Sequence, residues 1–378
     1  MFRKVSTRWI VLLWIALLAV LVTPIAAQTP TPPSFPLSDE GPYAVGIRAI
    51  KFTDASRDGR TMNDFVWYPA IPPATSTKTQ QYNASHYGWG KAPPDMKAAP
   101  YPLVLISPGW TQSATDFTSF ALTLASHGYV VVGLEHPDEY SQLQYVNRPM
   151  DVVFVINQLA GENQGDFSGV IDTDHVGIFG DSFGAYTSLV MTGARFDPVA
   201  ASAIAAIPYK SVPFGDTDPR TEIPDWSWDT ITSYYSKFSS LKKDELWPPI
   251  TDKRIKAAIM DSPCFAQLFG QQGLAAASVP ALIVGGTKDN VCAYEPDDSY
   301  IYAHLGSPDH YLLSVINGGH VPGFDTPTMP FTIQLMTAYY DYYLKGQQDD
   351  AQYLTQKYVD SVEAQLKLGL VWGPYKAQ

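Results

Sequence analysis

The residues best placed to do chemistry are a serine held between glycines, in Gly180-Asp181-Ser182-Phe183-Gly184, and three polar features spread along the rest of the chain. These are Gly109-Trp110, Asp289 after Gly285-Gly286-Thr287-Lys288, and His320 after Asn317-Gly318-Gly319. A serine hydroxyl becomes a useful nucleophile only when a base removes its proton. An imidazole titrates near neutrality and can take that proton, then return it to a leaving group. A carboxylate behind the ring fixes its tautomer and stabilises the imidazolium. The order Ser182, Asp289, His320 is the chain order of a nucleophile-elbow triad. The chemistry implied is nucleophilic acyl transfer.

Each assignment has a competitor. Asp261 follows the strand before that of Asp289 and is the alternative acid. Among the other histidines only His136 also follows a strand end, but it precedes the serine and so has the wrong order. An oxyanion hole needs two backbone N–H groups. One should come from Phe183, the residue after the nucleophile. The other should come from Trp110, where Gly109 lets the backbone approach closely. The side chains of Trp110 and Phe183 would also wall the acyl pocket. Asp181 reads as a structural hydrogen-bonding residue under the elbow, with no catalytic role.

The elements that must position these groups are legible as apolar runs. Residues 43–52 and 64–68 read as early strands, antiparallel at one edge. Residues 101–107, 129–134, 175–179, 255–260, 280–284 and 311–316 read as strands. Helices are expected over 114–126, 151–159, 185–191, 298–305, 328–344 and 351–368. Pro149 would stand near the start of the second of these. Near-continuous apolar strands alternating with helices imply a parallel sheet covered on both faces. In such a sheet the site gathers at the carboxyl ends of the strands, where all four polar features fall.

Residues 205–250 interrupt the rhythm with six prolines and with Trp226, Trp228, Tyr234, Tyr235, Phe238 and Trp247. The stretch is too long for an ordinary loop and is expected to form a small cap, with Gly109, Trp226 and Trp228 lining the substrate pocket. An insertion packed by its own aromatics is the alternative. Cys264 lies three residues after Asp261 and Cys292 three after Asp289. If those strands are neighbours, both cysteines leave the sheet at one height and within disulfide reach.

Composition narrows the class. The chain has 378 residues and a formal charge of −12, so a phosphate backbone would be repelled and nucleic acid is not an expected partner. No Cys/His spacing suits zinc, so no metal is expected, and the triad chemistry calls for no cofactor. Arg3, Lys4 and Arg8 precede an apolar run of fourteen residues, Trp9–Val22, and Pro24-Ile25-Ala26-Ala27 offers a cleavage site. Residues 1–27 read as a signal peptide, too short in its apolar core to span a membrane, and 28–42 as a Pro-rich leader. Residues 43–378 are expected to form the folded domain, and the chain without its signal peptide is expected to be a secreted or periplasmic monomer with no stable membrane insertion. Asn83-Ala84-Ser85 is a glycosylation sequon.

At these motifs the chain resembles α/β-hydrolase serine esterases. GDSFG, GGTKD, NGGH and SPGW resemble those of dienelactone-hydrolase-like proteins, including plasma-type platelet-activating-factor acetylhydrolases. The run Arg148-Pro149-Met150-Asp151-Val152-Val153-Phe154-Val155 resembles a segment before the elbow in that group, and SPGWT resembles the oxyanion loop of cutinase-like polyester hydrolases. The resemblance covers residues 43–345. It departs at Asp181, where the family often has histidine, and in the 205–250 insertion. It implies an α/β-hydrolase fold and a hydrolase acting on short or medium acyl esters, with a small-molecule ester, lipid or polyester as substrate. A peptidase or acyltransferase on the same triad is the nearest alternative. A catalytically silent fold used for binding is the other.

Overall fold

Every second residue of a strand points to the same side, so an unbroken apolar strand needs a core on each face. Leu103, Leu105, Ile178 and Ile283 enter one core, while Val104, Ile106, Phe179 and Leu282 enter the other. The computed structural model describes residues 33–72, 88–137, 141–161, 165–206 and 226–376. The signal segment, residues 28–32 of the leader, the Asn83 sequon and residues 207–225 of the insertion lie outside the described residues. The fold is that of Phe35–Gln378, which forms one unit.

The strands are β1 (Ala44–Asp54), β2 (Arg60–Ala70), β3 (Trp89–Gly90), β4 (Tyr101–Ser107), β5 (Val130–Gly133), β6 (Ile171–Asp181), β7 (Ile255–Asp261), β8 (Ala281–Gly286), β9 (His310–Val315) and β10 (Leu370–Trp372). They form one ten-stranded sheet in the order β10-β9-β8-β7-β6-β4-β5-β2-β1-β3. From β9 to β5 all neighbours are parallel. β2 is antiparallel to both β5 and β1, as expected of the early strands, and β10 adds an antiparallel edge beside β9.

The helices are α1 (Thr118–Ser126), α2 (Gln144–Ala160), α3 (Phe183–Met191), α4 (Pro198–Ala205), α5 (Trp228–Tyr235), α6 (Gly270–Ala275), α7 (Tyr300–His304), α8 (Met329–Lys345) and α9 (Gln356–Leu366). α2 and α3 supply Tyr145, Val152, Tyr186 and Leu189 to one core. α1, α8 and α9 supply Phe120, Leu335, Tyr339 and Val359 to the other. The sheet is mostly parallel with a helical layer on each face, as the strand pattern implies. No described helix is long and apolar enough to cross a membrane.

α2 corrects the sequence reading. It begins about two turns earlier than expected, at Gln144, so Pro149 lies inside the helix and not at its start. Proline has no N–H to donate to the carbonyl four residues back, that of Tyr145. The Tyr186 hydroxyl takes that place, donating to Tyr145 O at 2.6 Å. A neighbouring helix thus satisfies the acceptor that the proline leaves open.

The described part of the insertion, 226–250, lies along α2. The Ser227 N–H donates to Gln142 Oε1 at 2.6 Å, and Tyr234 donates to Asn147 Oδ1 at 2.7 Å. Trp228 stacks on Trp247 with ring centroids 4.8 Å apart, and Tyr235 stacks on the same Trp247.

Candidate active site

The serine turn is forced by close contacts on both sides. A Cβ on Gly180 would lie 2.0 Å from Gly184 O, and one on Gly184 would lie 1.8 Å from Ser107 O. No side chain fits either position, so β6 can reverse into α3 only with glycine at both. Ser182 sits at the bend with φ 51° and ψ −118°, a strained conformation for a residue with a Cβ. Its N–H donates to Asp261 O at 2.9 Å, which ties the elbow to the end of β7.

Asp289 and His320 come from the ends of β8 and β9. The His320 Nδ1–Asp289 Oδ2 distance is 2.8 Å, and the aspartate side chain is fully buried while the imidazole is partly open to solvent. The other carboxylate oxygen of Asp289 accepts the Val291 and Cys292 N–H groups at 2.8 and 3.0 Å. With Nδ1–H assigned to Asp289, Nε2 is the nitrogen left to accept a proton. The histidine loop is seated against neighbouring strand ends. Lys288 N–H donates to Gly318 O at 2.8 Å, and Val321 N–H donates to Ser262 Oγ at 2.9 Å. A Cβ on Gly286 would meet Gly319 O at 2.1 Å, so Gly286 is what lets this loop approach β8.

Asp261, the alternative acid, is not the partner of His320 in this geometry. It is fully buried opposite Asp181 across the β6–β7 pairing and accepts the Gly323 N–H at 3.1 Å. Burial, with the nearby carboxylates of Asp181 and Asp289, pushes its carboxyl well above the usual range.

Cys264 and Cys292 are disulfide-bonded, with Cα atoms 5.0 Å apart, as the strand spacing implies. Because Cys292 N–H donates to Asp289, the bridge is tied to the acid loop. Replacing both cysteines by alanine frees a loop of sequence separation 28 in the unfolded chain, and the expected loss is about 3–4 kcal/mol. Urea unfolding measures it, and a double variant as stable as the parent would contradict the estimate.

The oxyanion loop follows β4. Gly109 N–H donates to Asp181 Oδ1 at 2.8 Å, so Asp181 bonds this loop as well as flanking Ser182. Trp110 is half-buried against the core. Phe183 differs from expectation. Its ring is 2% exposed, packed by Tyr145, Tyr186 and Phe265 at 4.9–5.4 Å, and so forms core instead of a pocket wall. Trp228 stacks on Trp247 and meets the Phe196 ring at 5.8 Å, and with Trp226 it lines a cavity beside Ser202 and Ala205. Trp226 packs partly buried against the same core.

Residues 66–242 match the family model described as PETase, PET hydrolase-like. The chain has an α/β-hydrolase fold and is a carboxylic ester hydrolase. The matched span contains Pro108-Gly109-Trp110 and the Ser182 turn, while Asp289 and His320 follow it. No curated protein matches the chain.

This hydrolase also contains a second Ser–His–Asp line that sequence reasoning did not find. His136 Nδ1 lies 2.9 Å from Asp151 Oδ2, and its Nε2 lies 3.0 Å from Ser107 Oγ. All three are buried, so no substrate reaches them. Burial lowers the His136 pKa to about 4, against the raising effect of Asp151, so the ring is neutral at pH 7. The available signal was Arg148 and Asp151, two charges three residues apart on an otherwise apolar helix face. Among the described residues no His/Cys/Asp/Glu group is arranged to hold a metal.

Proposed function

We propose that this enzyme is a secreted serine esterase that cleaves short to medium acyl esters through an acyl-enzyme. Ser182 Oγ attacks the ester carbonyl while His320 Nε2 takes its proton. Asp289 orients the imidazole and balances its charge. The Phe183 and Trp110 amides receive the oxyanion. Collapse expels the alcohol, protonated by His320, and water then cleaves the acyl-serine by the same steps reversed. Proton and acyl group balance with no cofactor.

The observation that carries the reading is the 2.8 Å His320–Asp289 pair at the strand ends beyond the strained Ser182 turn, its carboxylate fixed by two further amides. The family match favours esters over amides and brings polyesters into range. The resemblance to platelet-activating-factor acetylhydrolases adds lipid esters. The mature enzyme, after loss of residues 1–27, works as a monomer.

Labelling with a fluorophosphonate probe and peptide mapping tests the mechanism. The expected adduct is on Ser182 alone, in a protein that also turns over p-nitrophenyl butyrate. An adduct elsewhere, or none in folded protein, would overturn the assignment.

A further inference from the structure

We propose that Arg148 and Asp181 are positioning residues that clamp the oxyanion loop, Pro108-Gly109-Trp110, from opposite edges and so aim the Trp110 amide at the oxyanion. This rests on the serine-esterase reading above and adds two residues to it.

In a trans peptide the C=O and the following N–H point to opposite sides. The Pro108 carbonyl accepts from Arg148 NH1 at 2.6 Å, and the Gly109 N–H of the same plane donates to Asp181 Oδ1 at 2.8 Å. Held at both edges, the plane cannot rotate. The next carbonyl, Gly109 O, is 3.4 Å from Arg148 NH2. Since that C=O faces Arg148, the Trp110 N–H of the same plane points away from the guanidinium. Gln112 Oε1 shares the Gly109 N–H at 2.8 Å from the loop's own far side.

Arg148 also reaches the second donor. Its guanidinium carbon stands 4.9 Å over the Phe183 ring, so one buried cation touches both segments that supply oxyanion amides. It comes from α2, the helix whose Pro149 is accommodated by Tyr186 of α3. The elbow helix and the clamp are therefore packed as one piece. Among the described residues Asp181 Oδ2 has no hydrogen-bond partner, and it would lie 2.9 Å from a Cβ on Gly109, so no larger residue fits between clamp and loop.

The clamp is sensitive to protonation near neutral pH. Burial pushes the Asp181 carboxyl up to about 7, against the Gly109 N–H and the charges of His320 and Arg148. Asp261 of β7 faces it as well. Ionised, Asp181 is a strong acceptor and balances the buried Arg148. As pH falls through about 7 it gains a proton, and both effects weaken.

Asp181→Asn keeps the shape and one acceptor but removes charge and titration. The expected result with p-nitrophenyl butyrate is a roughly tenfold lower kcat with KM within about twofold, since displacement of a donor acts on the transition state. As pH falls through about 7, log kcat/KM of the parent should dip by up to the same tenfold as Asp181 gains its proton, a locally steeper slope that the variant lacks. Binding of butylboronic acid, whose serine adduct places an oxygen at the oxyanion position, should weaken about as much as kcat. Arg148→Met should lower kcat roughly a hundredfold, with partial recovery in Arg148→Lys. Asp181→Asn decides alone should Arg148→Met fail to fold. Parental kcat, slope and boronate affinity in Asp181→Asn overturn the clamp. A parent that neither hydrolyses the ester nor binds the boronate overturns the esterase mechanism beneath it.

Discussion

Ser182→Ala is expected to lower kcat for p-nitrophenyl butyrate about 10⁶-fold, and Asp289→Asn about 10⁴-fold. The first removes the nucleophile. The second leaves the shape intact but replaces a carboxylate that accepts from His320 Nδ1 by an amide that can also donate to it. The ring then loses both its fixed tautomer and the charge that stabilises its imidazolium. Asp261→Asn is the decisive control. Burial and the nearby carboxylates of Asp181 and Asp289 push its carboxyl well above the usual range, and an amide oxygen can still accept the Gly323 N–H. The expected change in kcat is no more than about threefold, within the spread of ordinary substitutions near a site. Steady-state kinetics on samples matched by circular dichroism reads all three. A large loss in Asp261→Asn with a small one in Asp289→Asn would reverse the assignment of the acid.

What was legible in the sequence followed rules of short range. The apolar runs at 101–107, 255–260 and 280–284 are strands because short runs of this kind, too short for a helix, are buried on both faces in a parallel sheet. Gly180 and Gly184 mark the elbow because contacts at 2.0 and 1.8 Å exclude any Cβ there. The cysteines could be paired because equal offsets from adjacent parallel strand ends fix their height. What was not legible depended on partners distant in the chain. Pro149 reads locally as a helix start, and only the Tyr186 hydroxyl, 41 residues from the carbonyl it satisfies, makes a helix interior acceptable. Phe183 and Trp228 read as pocket walls because aromatics beside a nucleophile or in an insertion suit that role. The Phe183 ring is consumed instead by Tyr145 and Phe265, and Trp228 stacks on Phe196 and Trp247, packing choices with no periodic signature. Asp181 was read correctly as a hydrogen-bonding residue, but its partner is on another strand's loop, 72 residues away.

The largest expected loss of stability lies in the buried network behind β4. Asp151 Oδ1 accepts from Arg60 Nε at 2.8 Å and pairs with Arg57 NH1 at 2.7 Å, while Oδ2 meets Arg60 NH2 at 2.8 Å and His136 Nδ1 at 2.9 Å. Burial alone would raise this carboxyl, but the bonds from Arg60 and His136 win and hold it well below the usual range. Asp151→Ala leaves two guanidinium groups buried without their shared carboxylate, and the expected cost is about 3–5 kcal/mol in urea unfolding. The same network sets a pH dependence. A histidine whose folded pKa lies near 4, against 6.5 unfolded, takes up a proton on unfolding between those values. Its contribution is therefore fully present above pH 6.5 and falls by about 3 kcal/mol by pH 4. Below that, Asp151 adds a loss of the same sign, because its depressed pKa keeps the folded state from binding the proton that the unfolded chain accepts. Asp64, with a carboxyl raised to about 8 by burial, acts oppositely, as do Asp181 and Asp261: each loses stability as pH rises. The whole protein's profile thus mixes both signs, and the informative quantity is a difference. Stability of the parent minus that of His136→Gln should decline as pH drops from 6.5 to 4 and stay level from 7 to 8. A level difference across the whole range would mean that His136 is not kept neutral by its burial beside Ser107, and that the strand end carrying the oxyanion loop is held by other means.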